Sequence, residues 1–83
     1  MKDVKIYSKD YCPYCTKIKT FFDSKGVSYT EIDLSNDQEQ LMALVKKTKR
    51  RSVPQIFVGE EFIGGHDDVM KLEGEGKLDA ILA

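Results

Sequence analysis

Both cysteines of the chain fall in one tetrad, Cys12-Pro13-Tyr14-Cys15, which follows a β-prone segment and opens an apolar pattern of helical period. No other feature constrains the fold as much. Pro13 lacks an N–H and has a preset φ, so it suits the first position of a helix. Cys12 is then the N-cap, facing unpaired amides and the positive end of the helix dipole, with Lys9 nearby. A thiol so placed ionises below the value of about 8.5 for free cysteine. Cys15 lies one turn further along the same face, within reach of a disulfide. The pair therefore predicts a nucleophile, Cys12, and a less exposed resolving thiol, Cys15.

Two other uses of such a pair have to be weighed. A structural disulfide belongs mainly to small secreted domains. A structural zinc site would need His66 and a carboxylate besides the cysteines, whereas such sites usually come as two Cys/His pairs. Hydrophobic residues make up 41% of the 83, charged residues 33%, and the net charge is −1, which describes one small domain over residues 1–83 with a mixed surface. Without a basic excess, no nucleic-acid partner is expected. No apolar run approaches the roughly 20 residues of a membrane span, and Met1-Lys2-Asp3-Val4 does not begin a signal peptide. A cytoplasmic, monomeric protein without membrane contact is expected.

Along the chain, Val4 to Tyr7 reads as a strand. From Pro13 to Lys25 the residues Tyr14, Ile18, Phe21 and Phe22 recur at helical spacing, and Gly26 ends the helix. Val27 to Leu34 is a second strand with a break in its alternation. Ser35 and Gln38 fit a capping box that opens a helix carrying Leu41, Leu44 and Val45 to about Lys47. Pro54 ends any continuation, because it disfavours helical geometry at Val53. Gln55 to Val58, a turn at Gly59-Glu60 and Glu61 to Ile63 form a hairpin. Asp67 and Asp68 suit the start of a last helix that Gly74 to Gly76 interrupts. The order βαβαββα predicts an α/β domain, a four-stranded mixed sheet flanked by helices, with its first strands parallel and its last pair antiparallel. A dithiol between a strand and a helix in that order is the minimal thioredoxin-like architecture.

Three separated motifs, Cys12-Pro13-Tyr14-Cys15, Ser52-Val53-Pro54 and Gly64-Gly65-His66-Asp67-Asp68, give the chain a resemblance to the glutaredoxins, of the dithiol class and the short bacterial type. The resemblance spans essentially the whole chain. It implies a glutathione-dependent thiol–disulfide oxidoreductase with no tightly bound cofactor, acting on glutathionyl mixed disulfides and protein disulfides. Glutathione is then the co-substrate, in a groove beside the dithiol. Lys9 or Arg51 would meet its glycine carboxylate and Tyr14 would flank the groove. Val53, held by a cis bond to Pro54 as the family's Thr-Val-Pro is, would pair its backbone with the cysteine unit. Here Ser52 replaces the threonine and keeps its hydroxyl. Gly65, His66, Asp67 and Asp68 would receive the γ-glutamyl end, the helix amides its carboxylate and an aspartate its amine. His66 stands where the family commonly has cysteine or another small residue. A polar residue of the second helix, Gln38 or Gln40, is a further candidate. The rival readings are a thioredoxin-like disulfide reductase served by a flavin reductase, and a non-catalytic dimeric [2Fe–2S] carrier, against which Pro13 argues.

Overall fold

In the computed structural model, which describes residues 2–83, the elements are β1 (Val4–Ser8), α1 (Pro13–Ser24), β2 (Thr30–Asp33), α2 (Gln38–Thr48), β3 (Gln55–Val58), β4 (Glu61–Gly64), α3 (His66–Gly74) and α4 (Leu78–Leu82). The strands line up as β2-β1-β3-β4. β1 runs parallel to β2 and antiparallel to β3, and β3 is antiparallel to β4. This is the expected four-stranded mixed sheet of a thioredoxin-like fold.

The period of two along the central strands sorts the core into two layers. Val4 and Ile6 of β1 join Ile56 and Val58 of β3 beneath α1, α3 and α4, together with Ile18, Phe22, Val69, Leu78 and Leu82. On the other face α2 covers a smaller cluster of Leu34, Leu44 and Phe57. Each fully buried aliphatic or aromatic side chain of this kind contributes about 1.5–3 kcal/mol. At the end of α1, Lys25 Nζ sits 3.0 Å from both Glu73 and Asp79, tying that helix to α3 and α4.

Four details depart from the sequence expectations, each for a local reason. The buried stripe of α1 is Cys15, Ile18 and Phe22, while Tyr14 is half exposed; cysteine behaves as a small hydrophobe and takes the inward position. The second strand is shorter than Val27 to Leu34, because the Val27 amide donates to Phe22 O at 3.0 Å and closes the end of α1. The N-cap of α2 is Asp37, whose carboxylate accepts from Gln40 N at 3.0 Å. Ser35 instead accepts the Asp10 amide at 2.7 Å and tethers the loop that enters the dithiol. Finally, the interruption expected at Gly74 to Gly76 falls at Gly76, where φ is +71°, and it leaves two terminal helices, α3 and α4, where the order βαβαββα counted one.

Both sheet edges are short. β2 presents Thr30, Glu31 and Asp33 to solvent, and the pairing of β4 with β3 is interrupted between Ile56 and Phe57.

Candidate active site

Cys12 is the N-cap of α1, with Pro13 at the first turn, and its Sγ accepts the Cys15 amide at 3.1 Å. The two cysteines are joined in a disulfide with their Cα atoms 5.2 Å apart. They are not equivalent to solvent. Cys12 is partly exposed, whereas Cys15 is 2% exposed under the first turn of the helix. In the preceding loop Tyr11 has φ +57° and its ring is fully exposed. That left-handed backbone costs an aromatic residue about 1–2 kcal/mol, and it presents the tetrad at the molecular surface.

Two clefts flank the tetrad, one lined by Tyr14 and the other by Cys12 and Cys15. The first, of about 280 Å³, is walled by Tyr14 on one side and by Ser52, Val53 and Pro54 on another. Gly65, His66, Asp67 and Asp68 of the α3 start close it, with Arg50 at the rim. The Val53–Pro54 bond is cis, and Val53 O lies 3.8 Å from Cys12 Sγ. The His66 ring stacks obliquely on Tyr14, with centroids 5.1 Å apart, and its Nδ1 is 2.9 Å from Asp67 Oδ1. A Cβ added to Gly65 would meet Pro54 O at 3.2 Å, so glycine permits the close approach of these two walls.

Asp68 organises the far end of this groove. Its Oδ2 accepts the Gly65 amide at 2.9 Å, the side-chain half of a capping box, and pairs with Arg50 Nη1 at 2.7 Å. Arg50 also lies over the Phe62 ring, 5.3 Å from its centroid. The Arg50 guanidinium, and then the Gly65 amide, hold the Asp68 carboxyl below its ordinary value. A depressed folded-state pKa gives stability that is present above the unfolded value of about 3.9 and is lost as pH falls through the folded one. Asp68→Asn is therefore expected to be about 0.5–1 kcal/mol less stable at pH 7, a range that allows for solvent screening of this half-exposed pair. The deficit should vanish near pH 2 in urea unfolding; a deficit that persists in acid would mean that the charge is not its source.

The second cleft, of about 550 Å³, lies on the other side of the dithiol and includes Lys9, Tyr11, Cys12 and Cys15. On its wall Glu31 Oε2 accepts from Ser8 Oγ at 2.7 Å and from Lys19 Nζ at 2.9 Å. Lys19, then Ser8, hold Glu31 below its usual range, and Glu31 raises Lys19, so both stay ionised at neutral pH.

Of the residues singled out from sequence, Tyr14, Ser52, Val53, Pro54, Gly65, His66, Asp67 and Asp68 thus line one groove beside Cys12. Lys9 lines the opposite cleft. Arg51 is exposed and outside the groove lining, where Arg50 stands in its place. The reason lies in Gln55, buried in β3, whose Nε2 donates to Arg50 O at 2.8 Å and Ser52 O at 3.0 Å. Residues 50 and 52 are thereby held in like orientation and residue 51 is turned away, a period-two signal that the basic run Lys49-Arg50-Arg51 conceals. Neither Gln38 nor Gln40 borders the groove. The Ser8–Glu31–Lys19 cluster was not anticipated, since no local spacing relates a β2 residue to α1.

The family model for glutaredoxin matches residues 4–63. Glutaredoxin 3 of Escherichia coli (strain K12) is 40% identical over 82 residues, covering 99% of this chain and 99% of its own length. The solution structure of a glutaredoxin from Brucella melitensis superposes with a TM-score of 0.88 at 43% identity, over 99% of this chain and 89% of that one. A buckwheat glutaredoxin–glutathione complex superposes with a TM-score of 0.85 at 40% identity, over 95% of this chain and 74% of that one.

Proposed function

The chain belongs to the glutaredoxin family and is a thiol–disulfide oxidoreductase, and on that premise we propose that it reduces glutathionyl mixed disulfides and protein disulfides with electrons from glutathione. The observation that carries this reading is the groove between Tyr14, Val53 and the first turn of α3, with the Val53 carbonyl 3.8 Å from Cys12 Sγ. The glutathione complex of the similar buckwheat protein supports the choice of co-substrate.

In this reading the Cys12 thiolate attacks the glutathionyl sulfur of the substrate, the substrate thiol leaves and takes a proton, and the glutathionyl group stays on Cys12. A second glutathione thiolate then attacks that sulfur, which releases oxidised glutathione and regenerates the Cys12 thiolate. With a protein disulfide, the Cys15 thiolate displaces the substrate from Cys12 and forms the Cys12–Cys15 bond, which two glutathiones later reduce. The N-cap position favours Cys12 as the thiolate, and the Cys15 amide that faces its sulfur can donate to that charge.

The groove supplies matching chemistry for the tripeptide. Val53 offers backbone groups to the cysteine unit in the manner of an added strand. The first-turn amides of α3 face a carboxylate, and Asp67, whose carboxylate is not tied to an arginine, faces the amine. Tyr14 and His66 form an aromatic flank, Arg50 provides a cation at the rim, and Lys9 provides one from the other cleft. Ser52 lies at the start of the turn into Pro54.

The purified protein is expected to turn over a glutathionylated substrate with glutathione as sole reductant. Alkylation of Cys12 should titrate below about pH 8.5. Turnover only with a flavin disulfide reductase, or titration at the value of a free thiol, would exclude this function.

A further inference from the structure

The second cleft brings the buried sulfur of Cys15 together with an ion pair that the reaction at Cys12 does not need. Lys19 follows Cys15 by four residues on α1, so the two share a helix face one turn apart. Glu31 reaches Lys19 from β2, with Ser8 of β1 donating to the same carboxylate oxygen. All four residues line the same cleft. Cys15 is 2% exposed while the Lys19 and Glu31 side chains are 29% and 38% exposed, so a charge of this pair would act on the sulfur only partly screened.

We propose that the Lys19–Glu31 ion pair sets the balance between thiol and thiolate at Cys15, and so decides how the mixed disulfide on Cys12 is partitioned. The proposal rests on the glutathione-dependent function argued above. Two routes compete for that mixed disulfide. An incoming glutathione thiolate attacks the glutathionyl sulfur, or the Cys15 thiolate attacks Cys12 Sγ, forming the Cys12–Cys15 bond and expelling glutathione thiolate, which is protonated by water. The second route first requires Cys15 to give its proton to water in the cleft.

With the pair intact, the ammonium and the carboxylate largely cancel at the sulfur. Cys15 then remains mostly a thiol, and the glutathionyl intermediate survives long enough for the second glutathione. The other charged or titratable groups of this cleft are Lys9, Asp10 and Tyr11 from the entry loop, Cys12 from α1 and Asp33 from β2. None of them is changed in the variants below, so their background is constant.

Removing either partner of the pair leaves the other charge uncompensated, with opposite consequences for an anionic sulfur. In reduced Cys12→Ser protein, where Cys15 is the remaining thiol, alkylation rate against pH reports its ionisation. Glu31→Gln leaves Lys19 alone and is expected to move the titration to lower pH; Lys19→Gln leaves Glu31 alone and should move it to higher pH. In protein with both cysteines, glutathione release after capture on Cys12 should accelerate about threefold with Glu31→Gln and slow about threefold with Lys19→Gln, as one partly screened charge would cause. The exchanged pair, Lys19→Glu with Glu31→Lys, should return the titration towards that of the parent. A merely structural disturbance would move both single variants in the same direction. Shifts of the same sign, or none in either variant, overturn the proposal. Glutathione-driven turnover by Cys15→Ser, which has no closure step, tests the underlying function separately.

Discussion

Cys12→Ser is expected to lose turnover of a glutathionylated substrate by about a thousandfold or more, whereas Cys15→Ser keeps that reaction and loses only the reduction of protein disulfides. The asymmetry follows from where the two sulfurs lie. Cys12 is partly exposed and lines the larger cleft, with Val53 O of the groove 3.8 Å from its sulfur and an amide aimed at it. Cys15 is buried beneath the helix and reaches a substrate only through Cys12. Serine retains the N-cap role, so the helix start survives and the loss measures the nucleophile itself. Mass spectrometry should find glutathione held on the Cys15→Ser protein and none on Cys12→Ser. Equal loss of turnover in both variants would remove the assignment of roles.

Gly64→Ala is expected to destabilise the protein by about 2–4 kcal/mol and to weaken glutathione binding with it. Two costs add. The backbone at Gly64 has φ +119°, which side chains rarely adopt. A Cβ there would come within 2.5 Å of Asp68 Cβ and Oδ2, and the Asp68 Cβ, fixed to the helix, has little freedom to retreat. If Asp68 moves, the Gly65 amide loses its acceptor and Arg50 its partner, so damage at the end of β4 spreads to the groove. For a domain of this size the expected fall in melting temperature is about 10–25 °C. Gly59→Ala is an internal comparison, since φ is +62° there but, among the described residues, no atom lies within 4 Å of the added Cβ. It should lose only the backbone share. If Gly64→Ala is no less stable than Gly59→Ala, the contact with Asp68 is not what requires glycine.

The parts legible in the sequence were those written in local chemistry. The step from β1 to α1 is encoded by a β-branched run, a proline at the first helical turn and a glycine after the last, and the residues from Val4 to Gly26 behave accordingly. The groove was legible only through the family resemblance that the three motifs carry, since no local spacing brings Tyr14, Ser52-Val53-Pro54 and Gly65 to Asp68 together. What remained hidden depended on competition or on distance. Ser35 and Asp37 are both good caps for α2, and only the tether from Asp10 takes Ser35 out of contention. Arg50 and Arg51 are the same residue type one position apart, and the choice between them is made by the buried amide of Gln55. Tyr14 fits the helical apolar period and yet serves the groove, since Cys15 fills the inward place. The Lys19–Glu31 pair joins residues 12 apart through the parallel packing of β2 on β1, which no window along the chain reports.

Under the proposed reduction of protein disulfides, the modest edges of the sheet bear on how an oxidised, partly unfolded client would be met. Such clients expose strands seeking a partner, and an open row of backbone donors and acceptors would capture them indiscriminately. β2 is four residues long and carries Glu31 and Asp33, while β4 is equally short, loses register with its neighbour and ends in Gly64. Neither offers a long, uncharged template for strand addition. On the proposed function, a client's backbone would be discouraged from adding along the sheet and left to approach beside Val53, whose carbonyl lies 3.8 Å from Cys12 Sγ.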